Sequence, residues 1–444
     1  MTHSDTETAN SGGNGEAKYI LSINAGSSSV KLSLYLTNHN CEPKTIITAS
    51  ISSLTSSPAK FTYQDHSSPK DPVTSDLDSV DSHESAFRHF LCQLEEQSFN
   101  PPISFICHRI VHGGSFTKPT ILSSSTISEL NSLSSFAPLH NAPALSLVHA
   151  SLKALPDATQ IAYFDTLFHS TIPTAVSTYA ISRDVTGGVD QSQKDQDDPR
   201  PSLRKYGFHG ISYIWILNSV AEYLHQPVSE TSIIALHLGS GASACAIQDG
   251  KSIDTTMGLT PASGLPGATR AGDLDPTLVF HLMKPKETGK QKDVGEGLKI
   301  TEAEEVLNME CGWAGMTGTK EFGEIAEGWI KGDKDMGLAF EVFVDRVVGY
   351  VGNYWTKMGG RCDALVFSGG IGEKSNVLRR EVVRRLSCLG FRIDERRNGK
   401  LRDGTVVGIG GERVSDDGGR VLVVRTDEER MMARECARDG RFWS

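Results

Sequence analysis

An apolar run at residues 19–23 opens the ordered part of the chain and ends in the turn Asn24-Ala25-Gly26. After that turn, Val30, Leu32 and Leu34 alternate with other side chains along the next run. Alternation on both sides of a glycine turn is typical of a β-hairpin with one buried face. We therefore predict two antiparallel strands here, not a strand followed by a helix.

The same pattern returns in the second half of the chain. Residues 233–238 are apolar apart from His237, residues 239–241 read Gly-Ser-Gly, and residues 242–247 resume the alternation. Two such hairpins in two halves of a 444-residue chain indicate a duplicated α/β domain, with a cleft between the copies.

Further elements are predicted between and after the hairpins. A buried strand at 365–367 runs into the glycine cluster 369–372, and a basic helix follows at 377–385. A strand at 421–424 precedes the acids Asp427, Glu428 and Glu429, and residues 428–441 have helical character. The polar segments 51–84, 184–203 and 284–299 are predicted to be surface loops, and residues 1–17 to be disordered.

Composition limits the class of protein. The chain is 38% hydrophobic and 22% charged, as in ordinary globular proteins, and no apolar stretch is long enough to cross a membrane. No apolar signal core is visible near the N-terminus, so a cytoplasmic location is the default expectation. Eight cysteines without CxxC spacing predict free thiols in a reducing compartment, with neither disulfides nor a zinc site. The net charge of −10 disfavours nucleic-acid and membrane-surface partners.

Both hairpin turns carry groups that suit phosphate. The first, at 24–31, combines a glycine, three serines and Lys31, and the second, at 237–243, combines glycines with serines. Glycine lets the backbone approach an anion, while hydroxyl and N–H groups can hydrogen-bond to phosphate oxygens. A polar hairpin turn without a ligand explains either one alone, and no Walker sequence is present. Equivalent turns in both halves favour phosphate binding.

Four more side chains are candidates for chemistry. Arg109 and Arg270 lie in glycine-containing loops, and a guanidinium fork can bind a carboxylate or a phosphate, although structural ion pairs are the commoner use. Asp165 follows an apolar stretch and His209 lies between glycines; each could instead be a helix cap or a polar group at the edge of the core. The glycines at 369–372 could admit an adenine ring or a ribose, or could form only a tight turn. The acids at 427–429 fit Mg²⁺ binding or an acidic helix N-terminus equally well.

Taken in order, nine segments closely resemble the acetate kinase family, from about residue 19 to residue 440: NAGSSSVK, HRIVHGG, FAPLHNAP, FDTLFHSTIP, YGFHGIS, HLGSGAS, TPASGLPGATRAGDLDP, FSGGIGE and TDEERMMARE. The inserts are similar to those of fungal members. The resemblance implies the duplicated α/β ATPase fold of actin, sugar kinases and Hsp70 (the ASKHA fold), with an interdomain cleft. We expect a first domain at 18–169, with the C-terminal helix 429–444 packed back on it, and a second domain at 170–428.

The resemblance also implies residue roles. Catalysis would involve Asn24, Arg109, Asp165, His209 and Arg270. The acid would contact Arg109, Val111, Leu139, His140, Phe208 and Pro261. The nucleotide would contact Ser27, Ser29, Lys31, His237, Gly239, Ser240, Gly241, Glu321, Phe322, Gly370 and Ile371. Asn24 and Glu428 would bind the metal ion.

Some positions depart from the family pattern. Ser240 and Lys374 stand where asparagine is usual, and Ala268 stands where glycine precedes Thr-Arg. The adenosine-side segment reads Glu321-Phe322-Gly323 and lacks the family's arginine. Nucleotide choice is therefore less constrained by the sequence than acyl-phosphate chemistry.

The function that the resemblance implies is acetate kinase activity. ATP would give its γ-phosphoryl group to acetate by direct in-line transfer, reversibly, with Mg²⁺ or Mn²⁺, in a homodimer. Two alternatives remain open at this point. One is a kinase for propionate, butyrate or another short acid, and the other is a non-catalytic nucleotide-binding switch of the same fold.

Overall fold

A computed structural model describes residues 16–54, 57–133, 138–182, 202–282, 291–293, 299–411 and 420–443. Its strands are β1 Lys18–Ala25, β2 Val30–Thr37, β3 Lys44–Ser52, β4 Ala59–Asp65, β5 Val73–Leu77, β6 Ile103–Ile110, β7 Thr120–Ile121, β8 Thr159–Phe164, β9 Ile233–Leu238, β10 Ala242–Gln248, β11 Lys251–Thr255, β12 Gln291–Asp293, β13 Lys299–Thr301, β14 Ala364–Ser368, β15 Val406–Gly408 and β16 Arg420–Val424.

The helices are α1 His83–Glu96, α2 Ser124–Leu133, α3 Pro138–Ala154, α4 Thr174–Ser177, α5 Gly210–Leu224, α6 Leu278–Leu282, α7 Glu302–Glu305, α8 Gly312–Thr317, α9 Phe322–Lys331, α10 Lys334–Lys357, α11 Gly369–Lys374, α12 Asn376–Arg385, α13 Glu395–Gly399 and α14 Glu428–Arg438. Short 3₁₀ turns lie at 167–171, 228–230, 387–389 and 440–442, and a π turn at 306–310. Among the described residues, no helix combines the length and apolar character needed to cross a bilayer.

The chain divides into two compact units. The first contains Met1–Arg109, Ser146–Ala162 and Glu429–Ser444, and the second contains Ile110–Leu145 and Tyr163–Glu428. In the first unit the strands run β5-β4-β3-β2-β1-β6-β8 across the sheet. In the second unit the order is β11-β10-β9-β14-β16-β15.

Both sheets are built on the same plan. In each, the predicted hairpin is antiparallel: β1 pairs with β2 and β9 pairs with β10. The first strand of each hairpin also has a parallel neighbour on its other side, β6 for β1 and β14 for β9. Because the same arrangement occurs in both halves, the predicted duplication of an α/β unit is confirmed.

Two of the predicted loops contain strands. Within 51–84, β4 and β5 extend the first sheet, because Phe61 and Tyr63 alternate with more exposed positions and are buried. The Ser- and Pro-rich composition concealed that alternation. Within 284–299, β12 pairs antiparallel with β13. Most of the insert 184–203 and of the N-terminal extension 1–17 lies outside the described residues.

The C-terminal helix contacts the loop between β2 and β3 in the first unit. Arg434 on α14 donates a 2.7 Å hydrogen bond to Glu42, and the Asn40 N–H donates to the Ala437 carbonyl at 2.8 Å. Met431 and Met432 of this helix are buried. The predicted helix therefore forms, although it ends at Arg438, three residues early.

Candidate active site

The turn between β9 and β10 lies beside a guanidinium and an imidazole. A Cβ atom at Gly241 would lie 3.1 Å from Nη1 of Arg270 and 3.8 Å from Nε2 of His209. The Gly239 N–H donates to the Gly241 carbonyl at 3.1 Å, which fixes the turn. Because glycine has no side chain, the space above the turn stays open to a ligand. The second unit thus gathers a cation, an imidazole and a glycine turn, the groups suited to a phosphoryl oxygen.

His209 occupies a strained backbone position. Its φ of 60° is left-handed, which is unusual for a residue other than glycine, and it immediately precedes helix α5. Its Nδ1 lies 2.8 Å from the Ser243 hydroxyl, and that hydroxyl lies 2.5 Å from the Tyr213 hydroxyl. Complete burial raises the pKa of Tyr213 well above its usual value, so the phenol keeps its proton and can donate to Ser243.

These contacts link the tautomer of the histidine to the direction of the hydroxyl hydrogens. When Ser243 accepts from Tyr213, its own hydrogen is directed to Nδ1 of His209, and Nε2 carries the ring hydrogen. Nε2 is the atom nearest the Gly241 turn. In this arrangement His209 can donate a hydrogen bond at the turn, and in the reverse arrangement Nε2 can accept one.

A second histidine lies against the first. The His237 ring stacks on the His209 ring with centroids 4.2 Å apart, and its Nδ1 lies 2.7 Å from the Ser212 hydroxyl. Both ring positions are thus held by serines, one on β10 and one on α5. The sequence motifs contain both histidines, Ser243 and Ser212 but did not indicate these contacts, which join elements far apart in the chain.

The loop that carries Arg270 is held by backbone hydrogen bonds to residues 307–314. Cys311 N–H donates to the Thr269 carbonyl at 3.1 Å, and Ala314 N–H donates to the Ala268 carbonyl at 2.9 Å. At Gly312, whose φ is +63°, a Cβ atom would lie only 2.0 Å from the Gly267 carbonyl oxygen. Close backbone approach therefore defines the position of the loop.

The FSGGIGE segment forms helix α11 directly after β14, where we predicted a turn. A helix starts there because Gly369 adopts a φ of +74° and fits against the Leu238 carbonyl, leaving no room for a side chain. Gly370 has open space above it, as a flat ligand would require. The buried guanidinium of Arg379 donates to the carbonyls of Gly372 and Glu373, both at 2.8 Å, and so fixes the end of the helix.

Asp165 and an apolar cluster lie in the same unit. Asp165 is fully buried at the end of β8, and its carbonyl accepts the Gly210 N–H at 2.9 Å. Val111, Phe208 and Met257 form a small buried cluster. Met257 was not foreseen in the sequence, where it is an isolated methionine outside the motifs. Pro261 is buried, whereas the side chains of Leu139 and His140, at the start of α3, lie outside the described residues.

Two further histidines support this region. His169 accepts or donates at 2.8 Å with Ser252 and contacts the Phe208 carbonyl at 2.9 Å, directly before His209. The His112 ring packs on Tyr206 and Phe208. Burial lowers the pKa of each to about 4, so both are neutral at physiological pH and act as uncharged supports.

The first unit places another arginine beside an amide and a carboxylate. Arg109 donates to Oδ1 of Asn24 at 3.1 Å, and Nδ2 of Asn24 donates to Glu429 at 2.7 Å. Asn24 is cross-strand from Lys31 in the hairpin. In the adjoining turn Ser27 is exposed and Ser29 half-buried, and the Gly26 N–H donates to the Ser29 carbonyl. The acid that accepts from Asn24 is Glu429, one of the three acids at 427–429, and the family resemblance pointed to its neighbour Glu428 instead.

The remaining predicted contacts are more dispersed. Glu321 is exposed at the start of α9, whereas Phe322 is buried among Trp313, Phe340 and Phe343. The ring of Phe322 therefore belongs to the hydrophobic core, so a ligand would contact this residue through its backbone. Ser240 is exposed, and Ile371 is half-buried on α11. Glu428 is the first residue of α14.

Comparison with known proteins identifies the family. The sequence profile of the Acetokinase family matches residues 19–434. The chain belongs to the acetokinase family. A probable acetate kinase of Emericella nidulans is 45% identical over 430 residues, which span 95% of this chain and 98% of that protein. A probable acetate kinase of Neurospora crassa is 43% identical over 462 residues, spanning 96% and 95%.

Solved acetokinase structures share the fold. A propionate kinase from Francisella tularensis superposes with a TM-score of 0.78 at 31% identity, covering 94% of this chain and 98% of that one. An acetate kinase from Porphyromonas gingivalis gives a TM-score of 0.75 at 30% identity with the same coverage. The predicted α/β ASKHA fold is therefore confirmed, and the chain is a kinase that uses ATP and ADP.

The structure of this acetokinase brings only some of the predicted residues together. Arg270, His209, His237, Gly239 and Gly241 are neighbours in the second unit, and Asn24 and Arg109 are neighbours in the first. Within the described ranges, no group of three or more acidic, histidine or cysteine side chains could enclose a metal. The individual roles assigned to the site residues stay predictions.

Proposed function

We propose that this kinase transfers the γ-phosphoryl group of ATP to the carboxylate of acetate, giving acetyl phosphate and ADP, and also catalyses the reverse reaction. The observation that carries the proposal is the group formed by Arg270, His209 and the Gly241 turn, in a member of the acetokinase family. Phosphoryl transfer needs little covalent chemistry from the protein, which must position the reactants and neutralise developing charge. This group is suited to both tasks.

Direct in-line transfer needs no enzyme nucleophile. The carboxylate oxygen attacks phosphorus while the bond to the ADP oxygen breaks, and the electron pair of that bond leaves with ADP. The guanidinium of Arg270 and the Nε2–H of His209 would bind equatorial oxygens of the phosphoryl group. Because Ser243 holds Nδ1 of His209, the ring need not reorient as charge develops.

Arg109 would bind the acid. Its guanidinium is oriented by the side-chain amide oxygen of Asn24, and a guanidinium fork matches the geometry of a carboxylate. The apolar cluster of Val111, Phe208 and Met257 would receive the methyl group. We propose roles in acid binding for Asp165, Leu139, His140 and Pro261 as well, and a role in anion binding for Arg270.

The nucleotide would lie along the two glycine segments of the second unit. The open face above Gly370 suits the adenosine, and the turn at 239–241, with His237, suits the phosphates. Glu321, Phe322 and Ile371 would border the adenosine. Ser27, Ser29 and Lys31 would contact phosphate oxygens from the first hairpin.

A divalent cation, Mg²⁺ or Mn²⁺, would accompany the nucleotide. Oxygen donors fit these ions, and the amide oxygen of Asn24 and the carboxylate of Glu428 are of that type. Such ions are commonly held by substrate phosphates and one or two protein oxygens, so a complete protein cage is not required. When bound, the ion would offset the charge of the β- and γ-phosphates.

The decisive experiment measures acetyl phosphate directly, by trapping it with hydroxylamine. Arg270→Ala and Arg109→Ala should each lower kcat by about a thousandfold or more, since each removes a charge-neutralising contact in the transition state. Arg361→Ala, an exposed arginine, should leave turnover unchanged. Near-normal turnover in either of the first two variants would remove the carboxylate-binding assignment.

A longer acid is the second candidate. The match to a propionate kinase structure at TM-score 0.78 favours testing it. Acid length would be limited by Val111 and Met257, so kcat/KM should be compared for acetate, propionate and butyrate. A preference for acetate supports the proposal, and a higher value for propionate or butyrate replaces it. ATP binding without any trapped acyl phosphate would instead indicate a non-catalytic nucleotide-binding module.

A further inference from the structure

A basic cavity lies at one edge of the second unit's sheet. It has a volume of about 200 Å³ and is lined by three arginines, four glycines and the ring of Tyr223. The arginines are Arg392, Arg397 and Arg420. None of these residues belongs to the groups assigned above to the acid, the nucleotide or the metal.

The cavity is remote from the Gly241 turn. Arg420 is paired with Ala364, and Ala364 with Ile233, across the parallel strands β16, β14 and β9. The glycine turn begins after Leu238, at the other end of β9. Five residues of strand separate the two ends, which corresponds to about 17 Å. A ligand in this cavity would therefore be distinct from the transferred phosphoryl group.

Positive charge in the cavity is poorly compensated. The guanidinium of Arg420 makes no hydrogen bond or ion pair to any described residue. Arg392 uses Nη1 for the carbonyls of Ser387 and Phe391, which leaves its other nitrogens available. Arg397 faces one carboxylate, that of Asp394, at 3.6 Å.

The surrounding sequence reinforces this charge. Residues 376–411 contain nine Lys and Arg against four Asp and Glu, although the whole chain has a net charge of −10. A local excess of one sign in a concave site concentrates counter-ions there. Of these cations Arg392 and Arg397 line the cavity, whereas Arg384 and Arg385 of the basic helix α12 pair with Glu381 and Glu341.

The glycines give the cavity its shape. A Cβ atom at Gly408 would lie 2.9 Å from the Tyr223 hydroxyl, so any side chain there would fill the space beside this donor. Three guanidinium forks and a hydroxyl present more donors than the nearby acceptors use, which are the carbonyls of Ser387, Phe391 and Gly410 and the carboxylate of Asp394. A polyvalent oxyanion with several acceptor oxygens meets that need better than a single carboxylate.

We infer that this cavity binds a small phosphate-bearing anion, either inorganic phosphate or a short phosphate monoester, at a site separate from the nucleotide. The guanidinium of Arg420 is its principal ligand. Arg392, Arg397 and the Tyr223 hydroxyl complete the contacts.

Calorimetric titration with inorganic phosphate tests the site in the full-length protein. Saturating ADP occupies the nucleotide turn, and chloride keeps the ionic strength constant, so that screening does not change during the titration. Wild-type protein should bind phosphate, and Arg420→Gln should weaken binding by about tenfold or more. Arg396→Ala removes the same charge from a neighbouring exposed position and should leave the affinity within about twofold.

A second variant and a second probe separate the possible outcomes. Arg397→Gln is a surface substitution that cannot unfold the sheet, and it should also weaken phosphate binding. Methyl phosphate in place of inorganic phosphate decides whether the site takes a monoester. Failure of wild-type protein to bind either probe at about 10 mM would overturn the inference. Equal affinity in wild type and Arg420→Gln would overturn it as well.

Discussion

At the scale of single residues, the candidate site depends on contacts between segments far apart in the chain. His209 lies in a recognisable glycine-flanked segment, and its ring contacts Ser243, which in turn contacts Tyr213. Asn24 and Arg109 likewise come from motifs, and Glu429, 405 residues away, accepts a hydrogen bond from Asn24. Short-range patterns predict the site residues, and contacts between distant elements orient them.

Ser243→Ala should lower kcat by about 10- to 100-fold, with little change in the KM for ATP. The substitution removes the hydroxyl that selects the His209 tautomer, so Nε2 no longer carries the hydrogen reliably. Steady-state kinetics with acetate and ATP provide the measurement. Tyr213→Phe should lower kcat in the same direction by a smaller factor, and full activity in both variants would contradict the proposed relay.

A second residue-scale prediction concerns His108, which is buried in the first unit beside Gln160 and Ser151. Burial lowers its pKa from 6.5 to about 4, so the folded chain keeps it neutral. As the pH falls below 6.5, His108 becomes protonated in the unfolded chain but stays neutral in the folded chain. The contribution of His108 to the free energy of unfolding is therefore complete above pH 6.5 and falls by about 3 kcal/mol by pH 4.

His108→Gln should therefore make the free energy of unfolding less sensitive to pH between 6.5 and 4. Urea unfolding at pH 7 and pH 5 measures the difference. His149→Gln, at an exposed position, serves as the control. An unchanged pH dependence in His108→Gln would show that this histidine already binds its proton in the folded chain.

At the scale of elements, backbone proximity outweighs composition. The GGIGEK segment is a helix because Gly369 fits against Leu238 of the neighbouring strand, although its glycine content favours a turn. Residues 59–65 and 73–77 are strands despite their Ser- and Pro-rich setting, because a sheet edge supplies their hydrogen-bond partners. Local composition could not reveal either neighbour.

Gly312→Ala tests the contact between helix α8 and the Arg270 loop. The added methyl group would collide with the Gly267 carbonyl, so the loop must move, and kcat should fall by about 10- to 100-fold. Kinetics with acetate at saturating ATP measure the effect.

Gly318→Ala is a matched control for that variant. Gly318 also has a left-handed φ, of +81°, but nothing lies within 4 Å of its added Cβ. Both variants incur backbone strain of about 1–2 kcal/mol, and only Gly312→Ala displaces the loop. Equal turnover in the two variants would show that backbone strain, and not the collision, matters.

At the scale of the whole molecule, the chain crosses between its two units several times. The second unit is interrupted by residues 146–162, and the first is completed by residues 429–444. The boundary predicted near residue 169, with the C-terminal helix returning to the first domain, stays a prediction for the functional domains.

The homodimer implied by the family resemblance is a prediction at this scale. Light scattering on the purified chain should give twice the 48.1 kDa mass of one chain. The measurement should be repeated over a tenfold dilution, because a weak association dissociates by mass action. A mass of one chain throughout would exclude the dimer.

The sequence alone predicted the duplicated hairpins, the strands at 365–367 and 421–424, the family and the candidate site residues. Periodicity and motif order carry that information because each depends on residues close together in the chain. Tertiary structure decided the contact of His209 with Ser243, the contact of Asn24 with Glu429, the fit of Gly312 and the basic cavity around Arg420. These depend on atoms that meet only after distant segments have packed, and no local pattern encodes those distances.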